Sequence, residues 1–517
     1  MTSQASDPSD TRGTPSGEQP DAAPRPTSRG RIIAALALCL LAAAGLAANY
    51  IASVRVASAV QATRDQQARM DVFTGRVAMR LAYYLDGLSQ DEALAQANRE
   101  FARTYARTGF KSAAGYFEKA TSEFRGVDDK TAAAASAAGL YSAAGDDWRA
   151  VLALQATMQG VPVSGAATPP SARESAPKVA LPPLTERGRT AILFPLLRMY
   201  ANERPRPELL RSAAFKWIER HAAAHLLVES QINERLGRAD RAAKLRAAMY
   251  DVGERIATRI EIFLALSVVL IVLGLALLAW GAFSRRGLGP YRGLPPRPWG
   301  PWEGLALVGL WLVVYLVISA LAQVEPGRPG FAAGVLASYV LASVIALAWF
   351  ARSVAPRGSG LTTAGWLRAS PVTSIANGVG AYVAVFPIFA ATSLLAVRLL
   401  PPSPPNAVIV ALTQAPGWGD RVWFLLLLCI AAPVVEETVF RGAVYGAFRT
   451  RWSLPLAALA SSALFAAVHV NLQSFVPIVA LGVGLCVVYE RTRSLLPGMV
   501  AHSLFNLATV IVVLALA

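Results

Sequence analysis

The feature that most constrains this chain is a succession of apolar segments that begins at residue 260. Each segment approaches the roughly 20 residues that a helix needs to cross the hydrocarbon core of a bilayer. Because lipid offers the backbone no hydrogen-bond partners, such segments must form helices. The sequence therefore predicts an all-α polytopic membrane protein with an eight-span core over residues 259–517. The predicted spans are 260–283, 303–324, 331–351, 373–397, 422–447, 454–471, 474–489 and 495–516.

Composition and charge narrow the class of protein further. The chain is 54% hydrophobic and 16% charged, with a net charge of +16. Its arginines are spread along the sequence, and no dense basic block interleaved with aromatic residues indicates a nucleic-acid interface. The three cysteines all lie in apolar segments, so no disulfide framework or cysteine metal motif is expected. We expect contact with membrane lipid and no nucleic-acid partner.

The N-terminal part has a different composition. Residues 1–30 contain no aromatic residue and are rich in Pro, Ser, Thr, Gly and Asp, so we expect a disordered cytoplasmic tail. Residues 31–54 follow several arginines and form an Ala- and Leu-rich run that is longer than the apolar region of most signal peptides. We predict a signal anchor there, with a cleaved signal peptide as the alternative. Either one exports the chain that follows.

Residues 55–258 form the only large polar region. They are rich in alanine, with apolar residues at three- and four-residue spacing, which is typical of helices. Within them, Ala134–Leu152 is predicted to form two short helices around a Gly-Asp-Asp turn. We predict an extracytoplasmic helical region that presents a substrate or binds a partner on that side of the membrane.

The arginines of the connecting loops agree with this orientation. If residues 55–258 are outside, the outer loops carry only Arg328, Arg398 and Arg421. The inner loops then carry Arg285, Arg286, Arg292, Arg297, Arg352, Arg357, Arg368, Arg449, Arg451, Arg491 and Arg493. This is the asymmetry of the positive-inside rule. Together with the high Ala and Arg content, it predicts a multi-pass protein of the bacterial inner (cytoplasmic) membrane.

The fifth predicted span contains an unusual cluster of charge. Glu436, Glu437 and Arg441 lie within six residues of an apolar run. A charged side chain near the middle of a bilayer costs about 2.5–3.5 kcal/mol even on insertion scales. Because Glu437 and Arg441 are four residues apart, they share a helix face and are predicted to pair. Such a cluster indicates an intramembrane active site.

Two other predicted spans supply polar partners. Phe465 and His469 lie on the sixth, and His502 and Asn506 on the eighth, each pair at a spacing of four. At about 1.5 Å per residue, Glu436, His469 and Asn506 all come about 20 Å from the cytoplasmic side, with His502 shallower. We therefore expect the polar groups of three helices to meet at a similar depth.

This set of residues can support hydrolysis in two ways. A carboxylate in a partly dry cavity can act as a general base toward water, while an imidazole or carboxamide donates to an oxyanion. A pair between Arg441 and Glu437 would keep one glutamate charged and leave the other free to titrate. Alternatively, Glu436, His469 and His502 could ligate a zinc ion. Both schemes predict cleavage of a peptide bond within or beside the membrane, with zinc or with no cofactor.

The three motifs resemble those of a known family. EExxxR (Glu436–Arg441), FxxxH (Phe465–His469) and HxxxN (His502–Asn506) occur in the order found in the CAAX-protease and bacteriocin-processing (CPBP, or Abi) family. Its best-known class is the type II CAAX prenyl endopeptidase, or Ras-converting enzyme. The resemblance implies an eight-span core and does not extend to residues 1–258.

The resemblance also implies residue roles. Glu436 would activate water with help from His469, while His502 and Asn506 would stabilise the oxyanion. The family has been classed both as metalloproteases and as glutamic endopeptidases, so the resemblance leaves metal dependence open. We expect an endopeptidase that acts on a membrane-associated protein or peptide.

Two other classes of function remain as alternatives, and one further motif is excluded. The same fold could serve as a non-catalytic membrane scaffold or a bacteriocin self-immunity protein. Intramembrane charges also occur in transporters, although no inverted repeat supports that class here. Gly417–Asp420 spells GxGD, a motif of aspartyl proteases, but no predicted span supplies the second aspartate that this chemistry requires. Asp420 is therefore expected in a loop or at a helix start.

Overall fold

The computed structural model describes residues 57–159, 187–283, 294, 297, 299–322, 330–354, 365–366, 370–401, 407–415 and 417–516. Every regular element within these ranges is a helix, so the predicted all-α class is confirmed. The predicted tail, residues 1–30, and the predicted anchor, residues 31–54, lie outside the described residues.

In the described part of the polar region, seven α-helices and one 3₁₀ turn come before the membrane core. Their buried side chains, many of them alanines, form a hydrophobic core of their own. The helices are α1 (Ala57–Gln90), α2 (Gln96–Glu123), α3 (Val127–Ala143), α4 (Asp147–Gln159), α5 (Arg187–Tyr200), α6 (Ala213–His221) and α7 (His225–Arg235), with the 3₁₀ turn at Pro207–Arg211.

The predicted pair of short helices around a Gly-Asp-Asp turn is confirmed. The turn between α3 and α4 contains Gly145 at φ +81°, a conformation that glycine adopts without strain. The N–H of Asp146 donates to the carbonyl of Tyr141 at 2.8 Å, which closes the end of α3. Gly237 (φ +77°), after α7, has the same conformation, and the N–H of Arg238 donates in the same way.

One long helix joins the polar region to the first predicted span. It is α8 (Ala239–Phe283), whose 45 residues extend about 68 Å at 1.5 Å per residue. A Cβ at Gly253 would lie 2.4 Å from the carbonyl oxygen of Arg80, so α8 packs against the backbone of α1. The predicted division between residues 258 and 259 therefore falls inside a continuous helix.

The remaining helices, apart from the short α12, correspond to predicted spans. Outward-facing residues such as Val268, Val272 and Leu275 of α8 are more than half exposed, as lipid-facing residues are. The helices are α9 (Pro301–Leu321), α10 (Phe331–Val354), α11 (Pro371–Leu399), the short α12 (Ala407–Gln414), α13 (Trp418–Phe448), α14 (Leu454–Ala467), α15 (Leu472–Thr492) and α16 (Leu496–Leu516).

Within the described residues, seven of the eight predicted spans match helices that are long and apolar enough to cross a membrane. The chain is a multi-pass membrane protein. The sixth predicted span is different, because α14 has 14 residues and reaches only about 21 Å. It ends at Ala467, where the chain turns through Val470 (φ +49°) and Asn471 caps the start of α15. His469 was expected on this helix and lies instead in the turn after it.

Helix α13, which carries the charge cluster, is not a uniform α-helix. It is π-helical over Leu427–Ala431 and again over Glu437–Tyr445. In the first π segment the N–H of Ala432 bonds to the carbonyl of Leu427, five residues earlier. π segments are rare overall, and those that occur are often located at functional sites. Asp420 lies in the first turn of α13, where an acidic residue interacts favourably with the helix dipole.

A second buried polar cluster lies further along α13. The Glu490 carboxylate of α15 is fully buried and accepts hydrogen bonds from the Tyr445 hydroxyl (2.7 Å) and from Nε of Arg449. Buried charges are tolerated when they are paired in this way. The cluster therefore joins the C-terminal end of α13 to α15.

Candidate active site

The site is built on the second π segment of α13. Oε1 of Glu437 lies 2.9 Å from Nη1 of Arg441, and both side chains are 1% exposed. The two residues are four apart in the chain, which places them on one face of the helix. The predicted pair is therefore present, and it forms a nearly neutral, buried unit.

His502 brings helix α16 to the two glutamates. Its Nδ1 lies 3.1 Å from Oε1 of Glu437, and its Nε2 lies 3.7 Å from Oε2 of Glu436. A carboxylate can only accept, so the hydrogen of a neutral His502 is assigned to Nδ1. Nε2 then carries a lone pair that is directed toward Glu436.

Glu436 is the more accessible of the two carboxylates. Its side chain is 12% exposed, against 1% for Glu437. Oε1 of Glu436 accepts a hydrogen bond of 3.1 Å from the hydroxyl of Tyr339 on α10. Tyr339 was missed in the sequence analysis because only tertiary packing brings α10 next to α13. A tyrosine within an apolar span was the one available signal.

Phe465 lies at the centre of the site. The guanidinium carbon of Arg441 is 4.4 Å from the centroid of its ring, within cation–π distance. The rings of His469 and His502 meet the Phe465 ring edge-to-face, at 4.9 and 5.7 Å between centroids. This buried ring thus separates the two imidazoles and covers the guanidinium.

His469 is near the site without joining the glutamates. Its Nδ1 lies 2.8 Å from the carbonyl oxygen of Phe465, so a neutral His469 carries its hydrogen on Nδ1. Both His469 and Glu436 are described, and neither an ion pair nor a hydrogen bond joins them. The role of His469 stays a prediction.

Asn506 connects α16 to α13. Its Nδ2 donates to the carbonyl oxygen of Leu428 at 2.7 Å. That carbonyl lies in the first π segment, where its donor would be the N–H of residue 433. Residue 433 is proline and has no N–H, so Asn506 supplies the missing donor. Its role at an oxyanion stays a prediction.

Glu436, His469 and His502 are the three residues that the zinc alternative requires as ligands. Among the described residues, no three His, Cys, Asp or Glu side chains are grouped closely enough to hold a metal ion. The separation of His469 from the glutamates accounts for this, since zinc requires three or four convergent ligands. These three residues therefore do not form a metal site in this arrangement.

Comparison with known proteins bears on this region. Residues 418–508 match the family model described as "Type II CAAX prenyl endopeptidase Rce1-like". The chain is 30% identical over 87 residues to the "Putative membrane peptidase YdiL" of Bacillus subtilis (strain 168), covering 17% of this chain and 36% of that protein. It is 33% identical over 135 residues to an "Uncharacterized 24.3 kDa protein" of Escherichia coli, covering 25% of this chain and 61% of that protein.

The chain thus spans less than two thirds of the length of either curated relative. No solved structure matches it. The matched segment contains all three motifs and the contacts among Glu436, Glu437, Arg441 and His502. The resemblance that the motifs indicate is therefore confirmed, and the C-terminal part of this chain, residues 418–508, is similar to the type II CAAX prenyl endopeptidase Rce1-like family.

Proposed function

We propose that this protein is an intramembrane endopeptidase in which Glu436 activates a water molecule. The observation that carries the proposal is the 3.7 Å gap between Oε2 of Glu436 and Nε2 of His502. This gap is too long for a direct hydrogen bond, and in the neutral tautomer both atoms are acceptors. A water molecule between them would donate one hydrogen to each.

Such a water is prepared for attack on a peptide carbonyl. Its two O–H bonds are engaged, so an oxygen lone pair faces the substrate. As the bond from water oxygen to carbonyl carbon forms, Glu436 takes the proton as general base. The C–N bond then breaks, and that proton is delivered to the departing amine.

Glu436 is the proposed base because the neighbouring Glu437 is already engaged in a buried pair with Arg441. Glu437 is engaged by Arg441 and by Nδ1 of His502, and it is 1% exposed, so substrate cannot reach it. We assign it to the orientation of His502, as a carboxylate orients histidine in other hydrolytic sites. The Nδ1 atom of His469 is bonded to the Phe465 carbonyl, which leaves its Nε2 atom available. With a proton on Nε2, His469 is our candidate hydrogen-bond donor to the oxyanion.

We further propose that the protein lies in the bacterial inner membrane with residues 55–258 on the extracytoplasmic side. The distribution of loop arginines supports this orientation. A membrane-associated protein or peptide is the proposed substrate class. The long helix α8 connects residues 55–258 directly to the membrane core, which suits a region that presents substrate or binds a partner.

The test compares peptides released in the native host. Cells would express the wild type, Glu436→Gln or the control Glu261→Gln, an exposed glutamate on α8. Mass spectrometry of membrane and secreted peptides should find products in the wild type and the control. Loss of a general base lowers rates by about 10²–10⁴-fold, so Glu436→Gln should lack these products. The same peptides in all three strains would contradict the proposal.

One observation favours the non-catalytic alternative. Asn506 of α16 donates to a backbone carbonyl of α13, as side chains that fix helix packing do, and His469 bonds locally to the Phe465 carbonyl of its own segment. A scaffold or bacteriocin self-immunity protein would use these contacts to hold a binding surface. For that function, Glu436→Gln and His469→Ala should leave the cellular phenotype intact. Loss of the phenotype in Glu436→Gln, with unchanged protein level, rejects it.

A further inference from the structure

We propose that Tyr339 is a positioning residue that holds the Glu436 carboxylate in the orientation needed for water activation. The inference rests on the proposed function of Glu436 as the base. Tyr339 lies on α10, outside residues 418–508, which match the family model. The active site would therefore be completed by a part of the chain that the matched segment does not contain.

The hydrogen bond from Tyr339 gives the two carboxylate oxygens of Glu436 different roles. The Tyr339 hydroxyl donates to Oε1 of Glu436 at 3.1 Å, while Oε2 lies 3.7 Å from Nε2 of His502. The terminal torsion of glutamate is broad, so the carboxylate plane is not fixed by the side chain itself. A donor on Oε1 fixes that plane and keeps Oε2 directed at the gap where water would bind.

Tyr339 is itself held in place by aromatic neighbours. Its ring meets those of Trp311 and Tyr315 edge-to-face, with centroids 5.7 and 6.1 Å away. The indole N–H of Trp311 donates to Oγ of Ser343 at 3.1 Å, and Ser343 donates to the backbone carbonyl of Tyr339 at 2.7 Å. Contacts from α9 and α10 thus restrict both the ring and its helix.

Removing the hydroxyl should affect chemistry more than binding. Tyr339→Phe keeps the ring and its aromatic contacts but leaves Oε1 of Glu436 without this donor. The carboxylate can then rotate away from the water position. Small misplacements of a reacting group cost about 10²-fold in rate. We expect kcat to fall by about 10- to 100-fold while KM changes by less than about twofold.

Tyr315→Phe is the matched control. It removes a hydroxyl from the same aromatic cluster, and the described contacts include no hydrogen bond from Tyr315 to Glu436. Its kcat and KM should stay within about twofold of the wild type. Both kinetic variants would be assayed in proteoliposomes on a product-yielding peptide identified in the native-host comparison. A Tyr339→Phe enzyme with wild-type kcat would overturn the inference.

A spectroscopic measurement separates this inference from the proposed function. Isotope-edited infrared spectra of the full chain with ¹³C-labelled glutamate, in lipid, would identify the Glu436 band as the one lost in Glu436→Gln. Loss of the hydroxyl donor should shift this band in Tyr339→Phe and leave it unchanged in Tyr315→Phe. An unshifted band rejects the contact.

The combined outcomes distinguish the two proposals. If the band shifts but Glu436→Gln still releases the products, the proposed function is wrong and the positioning role is wrong with it. If Glu436→Gln abolishes cleavage and Tyr339→Phe does not slow it, this inference alone fails.

Discussion

Asn506 donates a hydrogen bond of 2.7 Å to the carbonyl oxygen of Leu428, which links the last membrane helix to a π segment of α13. The bond occurs at a carbonyl for which the helix backbone itself has no donor. Ala432 donates to Leu427, and the next donor in the π pattern would be residue 433, a proline. The Asn506 side chain of α16 thus supplies the hydrogen-bond donor that Pro433 of α13 lacks.

This relationship predicts a coupling between two substitutions. Asn506→Ala leaves the part-buried Leu428 carbonyl without its donor, and the free energy of unfolding should fall by about 1–3 kcal/mol. Pro433→Ala restores a backbone N–H at the position that the π pattern requires. In the Pro433→Ala background, the cost of Asn506→Ala should therefore be smaller. Unfolding of all four proteins in detergent would give the coupling energy as a double-mutant cycle. An equal cost in both backgrounds would show that Asn506 does not replace a donor that is missing at Pro433.

The buried pair of Glu437 and Arg441 predicts a larger effect. Arg441→Met removes the cation from a carboxylate that is 1% exposed, and it also removes the guanidinium from the Phe465 ring. Breaking a buried ion pair from one side costs about 3–5 kcal/mol. The thermal unfolding midpoint in detergent should fall accordingly.

Two comparisons make this prediction specific. Adding Glu437→Gln to Arg441→Met removes the unpaired charge, so the double variant should be more stable than the Arg441→Met single variant. Arg352→Met, at an exposed position on α10, should change stability by less than about 0.5 kcal/mol. A double variant that is no more stable than Arg441→Met would argue against the pair.

The prediction that depends on residue spacing within α13 agreed with the structure. Glu437 and Arg441 pair because a difference of four residues brings two side chains to one helix face. Seven of the eight predicted spans, in their order, also followed from length and hydropathy, since lipid leaves the backbone few alternatives. Neither inference required knowledge of how the helices pack.

The contacts between helices could not be predicted in the same way. The depth estimate placed Asn506 level with Glu436 and His502 shallower, yet His502 is the residue that contacts the glutamates. The estimate assumed straight α-helices, whereas α13 contains two π segments. His469 lies beyond the end of α14, because the chain turns at residues 468–470. Tyr339 has no spacing relation to any motif.

The packing of α11 against α16 gives a third prediction, for a residue far from the motifs in sequence. A Cβ at Gly378 would lie 2.6 Å from Cβ of Val500 and 2.8 Å from the carbonyl oxygen of Pro497. Pro497 and Val500 are in the same N-terminal turns of α16 as His502. Gly378→Ala must therefore displace the helix that brings His502 to Glu436. We expect a loss of stability of about 1–3 kcal/mol, typical of overpacking, and slower peptide cleavage.

Gly380 supplies the control on the same helix. A Cβ there meets no atom within 4 Å, and alanine has a higher helix propensity than glycine. Gly380→Ala should therefore leave cleavage unchanged and keep or raise stability by up to about 1 kcal/mol. Thermal unfolding and peptide release would be measured for both variants in the same detergent or lipid. Gly378 and Gly380 are only two residues apart on α11, so the main difference between them is that Gly378 faces α16 and Gly380 faces open space. Identical behaviour of the two variants would mean that α11 does not set the position of α16, and that His502 reaches the glutamates by other contacts.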